Sequence, residues 1–212
     1  MNDRVSILIA DDHAMVRHGL RAVIEERPGW TVCAEATNGR EAVEKARQWR
    51  PQVAILDFSM PELNGLEAMR QMLAASPDTR PLMLTMHETD ELVREAIAAG
   101  ARGFVLKSDA GRVLITAVEA LLRGKTYFTA RVSELVPAQG DAPESVRPRL
   151  SPREREIVQL IAEGKSTKEV AVLLGISVKT ADVHRTNLMR KLDAHSVSDI
   201  VRYAIRNRIV EP

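Results

Sequence analysis

The sequence predicts an α/β domain built on a five-stranded, parallel, doubly wound sheet, followed by a linker and a small all-α domain of four helices. Three observations predict it. Short apolar runs alternate with amphipathic stretches as far as residue 123. The pattern then dissolves over 124–148, where Pro137, Gly140, Pro143 and Pro148 stand among small polar residues. Finally, three helix-start signatures crowd residues 149–212. With 212 residues, 45% of them hydrophobic, the chain can bury two cores.

Five runs qualify as strands: 7–10, 31–36, 53–56, 82–85 and 103–106. Each is short and almost wholly apolar, as a strand covered on both faces must be. Between them, Val16, Leu20, Val23 and Ile24 line one face of a helix. Pro28-Gly29, Asn38-Gly39, Asn64-Gly65, Ser76-Pro77 and Ala99-Gly100 fall between the elements, where turn chemistry is expected. In the last domain the helix starts are capping boxes, Ser151 with Glu154, Ser166 with Glu169 and Ser196 with Asp199, the first carrying Pro152 just inside the start. Gly175 ends one helix and Ser177 caps the next, so a tight turn joins two helices there.

The formal net charge of +1 hides an asymmetry. Residues 1–123 carry 15 Lys+Arg against 18 Asp+Glu, whereas residues 149–212 carry 12 against 8. A basic C-terminal domain permits a polyanion partner. The single cysteine, Cys33, cannot form an internal disulfide, which fits a reducing compartment. No run approaches the ~20 apolar residues of a membrane span, and charges occupy the place of a signal peptide's apolar stretch. A cytoplasmic protein with no membrane role is expected.

Ligands of an open parallel sheet bind beyond the carboxyl ends of its strands. Those ends are all polar here: Asp11-Asp12 after the first, Asp57 after the third, Thr85 at the fourth and Lys107 after the fifth. Clustered carboxylates repel one another, and a hard divalent cation such as Mg²⁺ resolves the repulsion. One carboxylate can then act as a nucleophile toward a phosphoryl group, with Lys107 offsetting charge on the transferred oxygens.

The stretches Ile9-Ala10-Asp11-Asp12-His13, Leu56-Asp57-Phe58-Ser59-Met60-Pro61, Leu63-Asn64-Gly65, Leu84-Thr85-Met86 and Gly100-Ala101-Arg102-Gly103-Phe104-Val105-Leu106-Lys107 resemble the receiver domains of bacterial response regulators, over nearly all of residues 5–123. The resemblance implies a CheY-like fold with Asp57 as phosphoacceptor. It implies Mg²⁺ held by Asp12, Asp57 and the main-chain carbonyl of Ser59, with Asp11 acting through water. Thr85 would bond the new phosphoryl oxygens, and Phe104 would swing inward into space Thr85 vacates. Phe104 stands where many relatives have Tyr, and Ser108 where many have a cis proline. His87 could lie near the water that hydrolyses the aspartyl phosphate.

In the helix after Ser177, Ala181, Leu188 and Leu192 form an inward stripe. Lys179, Val183, Thr186 and Arg190 point the opposite way, with Asp182 at the edge. These five are candidates for the DNA major groove: Lys179 for a base edge or a phosphate, Val183 for a thymine methyl. Arg185, Arg190 and Lys191 suit phosphate contacts, which set position and salt dependence. The stretches Leu150 to Glu156, Glu163 to Ala171, Ile176-Ser177-Val178-Lys179-Thr180, His184-Arg185 and Arg190-Lys191-Leu192 are similar to the LuxR-type DNA-binding domain, over most of residues 148–210. That resemblance adds Thr180 and His184 to the DNA-contacting set. Joined to a receiver, it implies the NarL/FixJ class of transcription regulators, which are not enzymes. Partners would be a sensor histidine kinase, double-stranded promoter DNA and, as a further candidate, RNA polymerase. A homodimer would form through the last helix, where Val197, Ile200, Val201, Ala204 and Ile205 make an apolar stripe.

Two other functions use the same residues. A phosphotransfer protein would bind a protein partner with its C-terminal helices, but the outward Lys and Arg argue against it. A haloacid-dehalogenase-like phosphatase needs a second Asp two places after the nucleophile, and Ser59 stands there. Gly164-Lys165-Ser166 imitates the tail of a P-loop, yet Gln159 replaces the required glycine. The histidines and cysteine lack the spacing of a zinc site.

Overall fold

The computed structural model describes residues 4–86, 89–128 and 150–210. The chain divides into two compact units, residues 1–142 and 143–212. In the first, five parallel strands, β1 (Val5–Ala10), β2 (Trp30–Ala36), β3 (Val53–Asp57), β4 (Arg80–Thr85) and β5 (Gly103–Leu106), lie in the order β2-β1-β3-β4-β5. Helices α1 (Ala14–Glu25), α2 (Gly39–Trp49), α3 (Gly65–Ala75), α4 (Asp90–Ala99) and α5 (Ala110–Leu122) alternate with the strands.

Strand alternation splits the core into two layers. Leu8, Ala54, Leu56, Met83 and Phe104 face α2, α3 and α4, while Ile7, Ile9, Ile55, Leu84 and Val105 face α1 and α5. All five residues of β3 are buried, which explains its continuous apolar run. The strand order reverses direction between β1 and β3, so their carboxyl ends flank the crevice where such sheets bind ligands.

The two Asn-Gly pairs differ from the turns expected of them. Asn38 and Asn64 are N-caps, accepting from the amides of Glu41 and Glu67. Gly39 and Gly65 open α2 and α3, and their need for glycine is steric. A Cβ on Gly39 would lie 1.9 Å from the Leu63 carbonyl oxygen, and one on Gly65 2.1 Å from that of Asp57.

Residues 124–128, expected in the linker, belong to the first unit. Tyr127 bridges Gly103 in parallel fashion; its amide donates to Arg102 O, and its carbonyl accepts from Phe104 N at 3.0 Å. Tyr127 and Phe128 pack against opposite core layers, so partial burial of two aromatic rings, together with an open strand edge, overrides the loop-like composition. The remainder of the expected linker, together with His87, lies outside the described residues.

The second unit holds α6 (Pro152–Ala162), α7 (Thr167–Leu174), α8 (Val178–Lys191) and α9 (Val197–Arg206) around its own core, which includes Ile157, Leu160, Val170, Ala181, Leu188, Ile200 and Ala204. All three capping boxes form. Gly175, left-handed at φ 63°, ends α7, and Ser177 caps α8. Gly164 is likewise a helix–helix turn, not part of a phosphate loop.

Candidate functional site

The parallel sheet delivers the predicted polar residues to one edge. Lys107 follows β5 and is anchored there by its main-chain N–H, which donates a hydrogen bond to Thr85 O at 2.8 Å. Its ammonium lies 2.8 Å from Asp11 Oδ2 and 2.8 Å from Asp57 Oδ2. Asp11 is fully buried and also accepts from the His13 amide at 2.8 Å. Asp12 is exposed beside it, with its Oδ1 2.7 Å from His13 Nδ1. Oxygens of Asp11, Asp12 and Asp57 and a nitrogen of His13 all lie within 4.8 Å of one another. Thr85 is buried at the tip of β4, and Ser59 is half-buried in the loop after Asp57.

Two carboxyl groups, Asp11 and Asp57, thus share one ammonium, with a third, Asp12, beside them. Burial pushes the Asp57 carboxyl up to about 6; Asp11 and Asp12 add to the shift and Lys107 opposes it. Burial also pulls Lys107 down, but its two carboxylate partners outweigh that and hold it above the ordinary lysine range. The ammonium therefore stays charged and still leaves Asp57 short of compensation. Asp11 Oδ2 is buried and, apart from this ion pair, receives no well-directed hydrogen bond. An oxygen-rich cluster with unbalanced negative charge fits a hard divalent cation such as Mg²⁺. Only 4% of the Asp57 side chain and 10% of Lys107 are exposed, so the carboxylate sits at the bottom of the site rather than on its rim.

Phe104, the ring expected to swing inward, is packed in the layer facing α2, α3 and α4, with 2% exposure. A phenyl ring has no hydroxyl to keep at the surface, and burying it contributes roughly 2–3 kcal/mol.

Sequence reasoning passed over His13, which was visible only as part of a motif, and two residues with no local signal. Arg17 of α1 donates to the carbonyls of Asp11 and Asp12, and Glu35 of β2 binds Arg17 and Arg21.

In the second unit Lys179, Thr180, Asp182, Val183, Thr186 and Arg190 are exposed on α8, while Ala181 and Leu188 are buried. Val178, at the helix start, is also exposed. His184 and Arg185 are half-buried; Arg185 Nη1 lies 3.4 Å from Thr167 Oγ1 at the start of α7. Lys191, expected to be free for a phosphate, instead bonds Glu154 of α6 at 2.7 Å. That pair is worth about 0–1 kcal/mol, so a phosphate contact has to break it first. The stripe on α9 divides. Ile200 and Ala204, expected at a dimer surface, are wholly buried in the unit's own core and cannot reach a partner, which leaves Val197 exposed and Val201 and Ile205 half-buried.

Residues 7–119 match the family described as response regulator receiver domain, and residues 148–204 match bacterial regulatory proteins of the luxR family. The oxygen regulatory protein NreC of Staphylococcus carnosus is 38% identical over 98% of this chain and 100% of its own length. The transcriptional regulatory protein MctR of Rhizobium johnstonii is 35% identical over 98% of this chain and 96% of its own. Among solved structures, the RcsB response regulator of Salmonella typhimurium is similar at 29% identity and a TM-score of 0.58, covering 96% of this chain and 98% of that one. A structure of two RcsB dimers bound to two parallel DNAs is similar at 28% identity and a TM-score of 0.58, covering 94% and 97%.

Proposed function

The chain belongs to the response regulators that join a receiver domain to a LuxR-family DNA-binding domain, and from that premise we propose that Asp57 is the residue through which phosphorylation controls its binding to promoter DNA. It is a phosphorylation-dependent, DNA-binding transcription regulator and not an enzyme. The observation that carries the assignment is the shared contact of Lys107 with Asp57 and Asp11 beside Asp12.

Receiver domains generally bind Mg²⁺ in an acidic pocket. Here Asp12, Asp57 and the main-chain carbonyl of Ser59 would hold it, with Asp11 acting through water. The ion supplies positive charge to the phosphoryl oxygens. An Asp57 oxygen attacks the phosphorus of a kinase phosphohistidine; the P–N bond breaks, and an acyl phosphate forms on Asp57. Lys107 keeps its positive charge against the new dianion, and the Thr85 hydroxyl donates to a phosphoryl oxygen. Movement of Thr85 would reach the buried Phe104, where only packing carries the switch.

On the output side, α8 enters the major groove. Lys179, Val183, Thr186 and Arg190, with Asp182 at the edge, would face the groove, Lys179 meeting a base edge or a phosphate; Thr180 and His184 join the contacting set, and Arg185, Arg190 and Lys191 suit phosphates. Val197, Val201 and Ile205 would pair two copies, as the RcsB dimers on DNA suggest by similarity. A sensor histidine kinase and RNA polymerase complete the partners. No helix among the described residues is long and apolar enough to cross a membrane, and we place the protein in the cytoplasm.

The test compares wild type with Asp57→Ala in titrations of selected duplex DNA, with and without acetyl phosphate. The donor is expected to tighten binding of the wild type about tenfold and leave the variant unchanged. Equal tightening of both removes Asp57 from the mechanism. Affinity should also fall steeply between low and physiological salt, and a flat response excludes the phosphate contacts.

A further inference from the structure

We infer that Arg17, held by Glu35, is the residue that positions Asp12 for cation binding, an inference that rests on the acidic site proposed above. The two acids of the β1 tip are anchored unequally. Asp11 is buried, with Lys107 and the His13 amide on its carboxylate. Asp12 is exposed, and its carboxylate meets the imidazole of its neighbour His13. What fixes Asp12 is its backbone. Arg17 Nη1 donates to the Asp11 carbonyl at 2.8 Å and to the Asp12 carbonyl at 3.3 Å. Those two carbonyls belong to the peptide planes on either side of the Asp12 Cα, so one guanidinium holds both planes.

The same guanidinium is fixed at its other edge, where Arg17 Nε donates to Glu35 Oε2 at 3.2 Å. Glu35 in turn takes Arg21 Nε at 2.7 Å on its other oxygen. Burial pushes the Glu35 carboxyl up, but the two arginines outweigh it and hold it below the ordinary carboxylate range. Glu35 therefore stays ionised, and with Glu25, which takes Arg21 Nη1 at 2.7 Å, it balances the two arginines, so the clamp orients Asp12 without adding a net cation that would repel the incoming one. Only an arginine can do this, because its planar fork reaches a carboxylate and a pair of carbonyls at once.

Outer partners of this kind typically change metal affinity 10–100-fold when removed. The test titrates the full-length ¹⁵N-labelled protein with Mg²⁺ and follows the amide resonances of Asp12 and His13, with melting temperature recorded alongside. Arg17→Met is expected to raise the Mg²⁺ dissociation constant about tenfold while the protein stays folded. Arg17→Lys, which keeps the charge on a single donor nitrogen but loses the planar fork, should fall between it and wild type. Glu35→Gln should weaken binding a few-fold by unmasking the Arg17 charge. An Arg17→Met protein that is folded and binds Mg²⁺ within about twofold of wild type overturns the inference. If that variant does not fold, wild-type affinity in both Arg17→Lys and Glu35→Gln overturns it equally. A wild type with no saturable Mg²⁺ response removes the acidic site itself, and the role of Arg17 with it.

Discussion

Asp57 carries an electrostatic burden that can be measured. Its carboxyl is raised to about 6 in the fold from an ordinary value of 3.8, so folding favours the protonated form and ionisation works against the folded state. The penalty is fully present above the folded value and vanishes as pH falls through 6 toward 4. Asp57→Asn keeps the shape and removes the charge. Without Mg²⁺ at pH 7.5 it is expected to be more stable than wild type, by at most ~3 kcal/mol at ~1.4 kcal/mol per pKa unit. Its loss as a partner of Lys107 reduces that gain. Urea midpoints at pH 7.5 and pH 5 test the sign: the gap between the two proteins should close at the lower pH, and a gap that widens contradicts it. Added Mg²⁺ should close it at pH 7.5, because a cation that binds only the folded wild type stabilises that state.

At the scale of elements, the start of α3 and the end of β3 are locked together through Gly65. Gly65→Ala places a methyl group 2.1 Å from the Asp57 carbonyl oxygen, so helix or strand must shift. The expected loss is about 1–3 kcal/mol, as for other overpacked sites. Gly19→Ala is the control: nothing lies within 4 Å of its Cβ, in the middle of α1, and it should stabilise by roughly 0.5–1 kcal/mol. Melting temperatures of the two variants are expected to move in opposite directions. Elements of this kind were largely legible in the sequence, since buried strands write apolar runs and helix starts write Ser-x-x-Glu boxes. Asn38-Gly39 and Asn64-Gly65 misled because the same dipeptide serves a turn or an N-cap under a crossing backbone. The stripe on α9 was ambiguous because one row of apolar residues does not distinguish Ile200, which faces its own core, from Val197, which faces outward. The polar tips of the strands were readable from position alone, whereas their supports were not. Arg17 finds Glu35 across the fold, and Lys191 finds Glu154 37 positions away, pairings set by packing rather than spacing.

At the scale of the molecule, each unit buries a core of its own, so the two should melt as separable transitions. Leu188 is wholly buried in the helical unit. Leu188→Ala should lower one calorimetric transition, at a cost of about 2–5 kcal/mol, and leave the Mg²⁺-sensitive one in place. A single transition that moves as a whole would show the units to be thermodynamically one. The strip formed by Tyr127 and Phe128 bears on how the chain can be dissected. A fragment ending at residue 123 would bare the hydrogen-bonding rim of β5 and strip two aromatic rings from the hydrophobic layers, inviting neighbouring molecules to dock there as extra strands. Self-association of so truncated a receiver would then report the cut rather than signalling, and a fragment that continues through Phe128 retains the native border of its sheet.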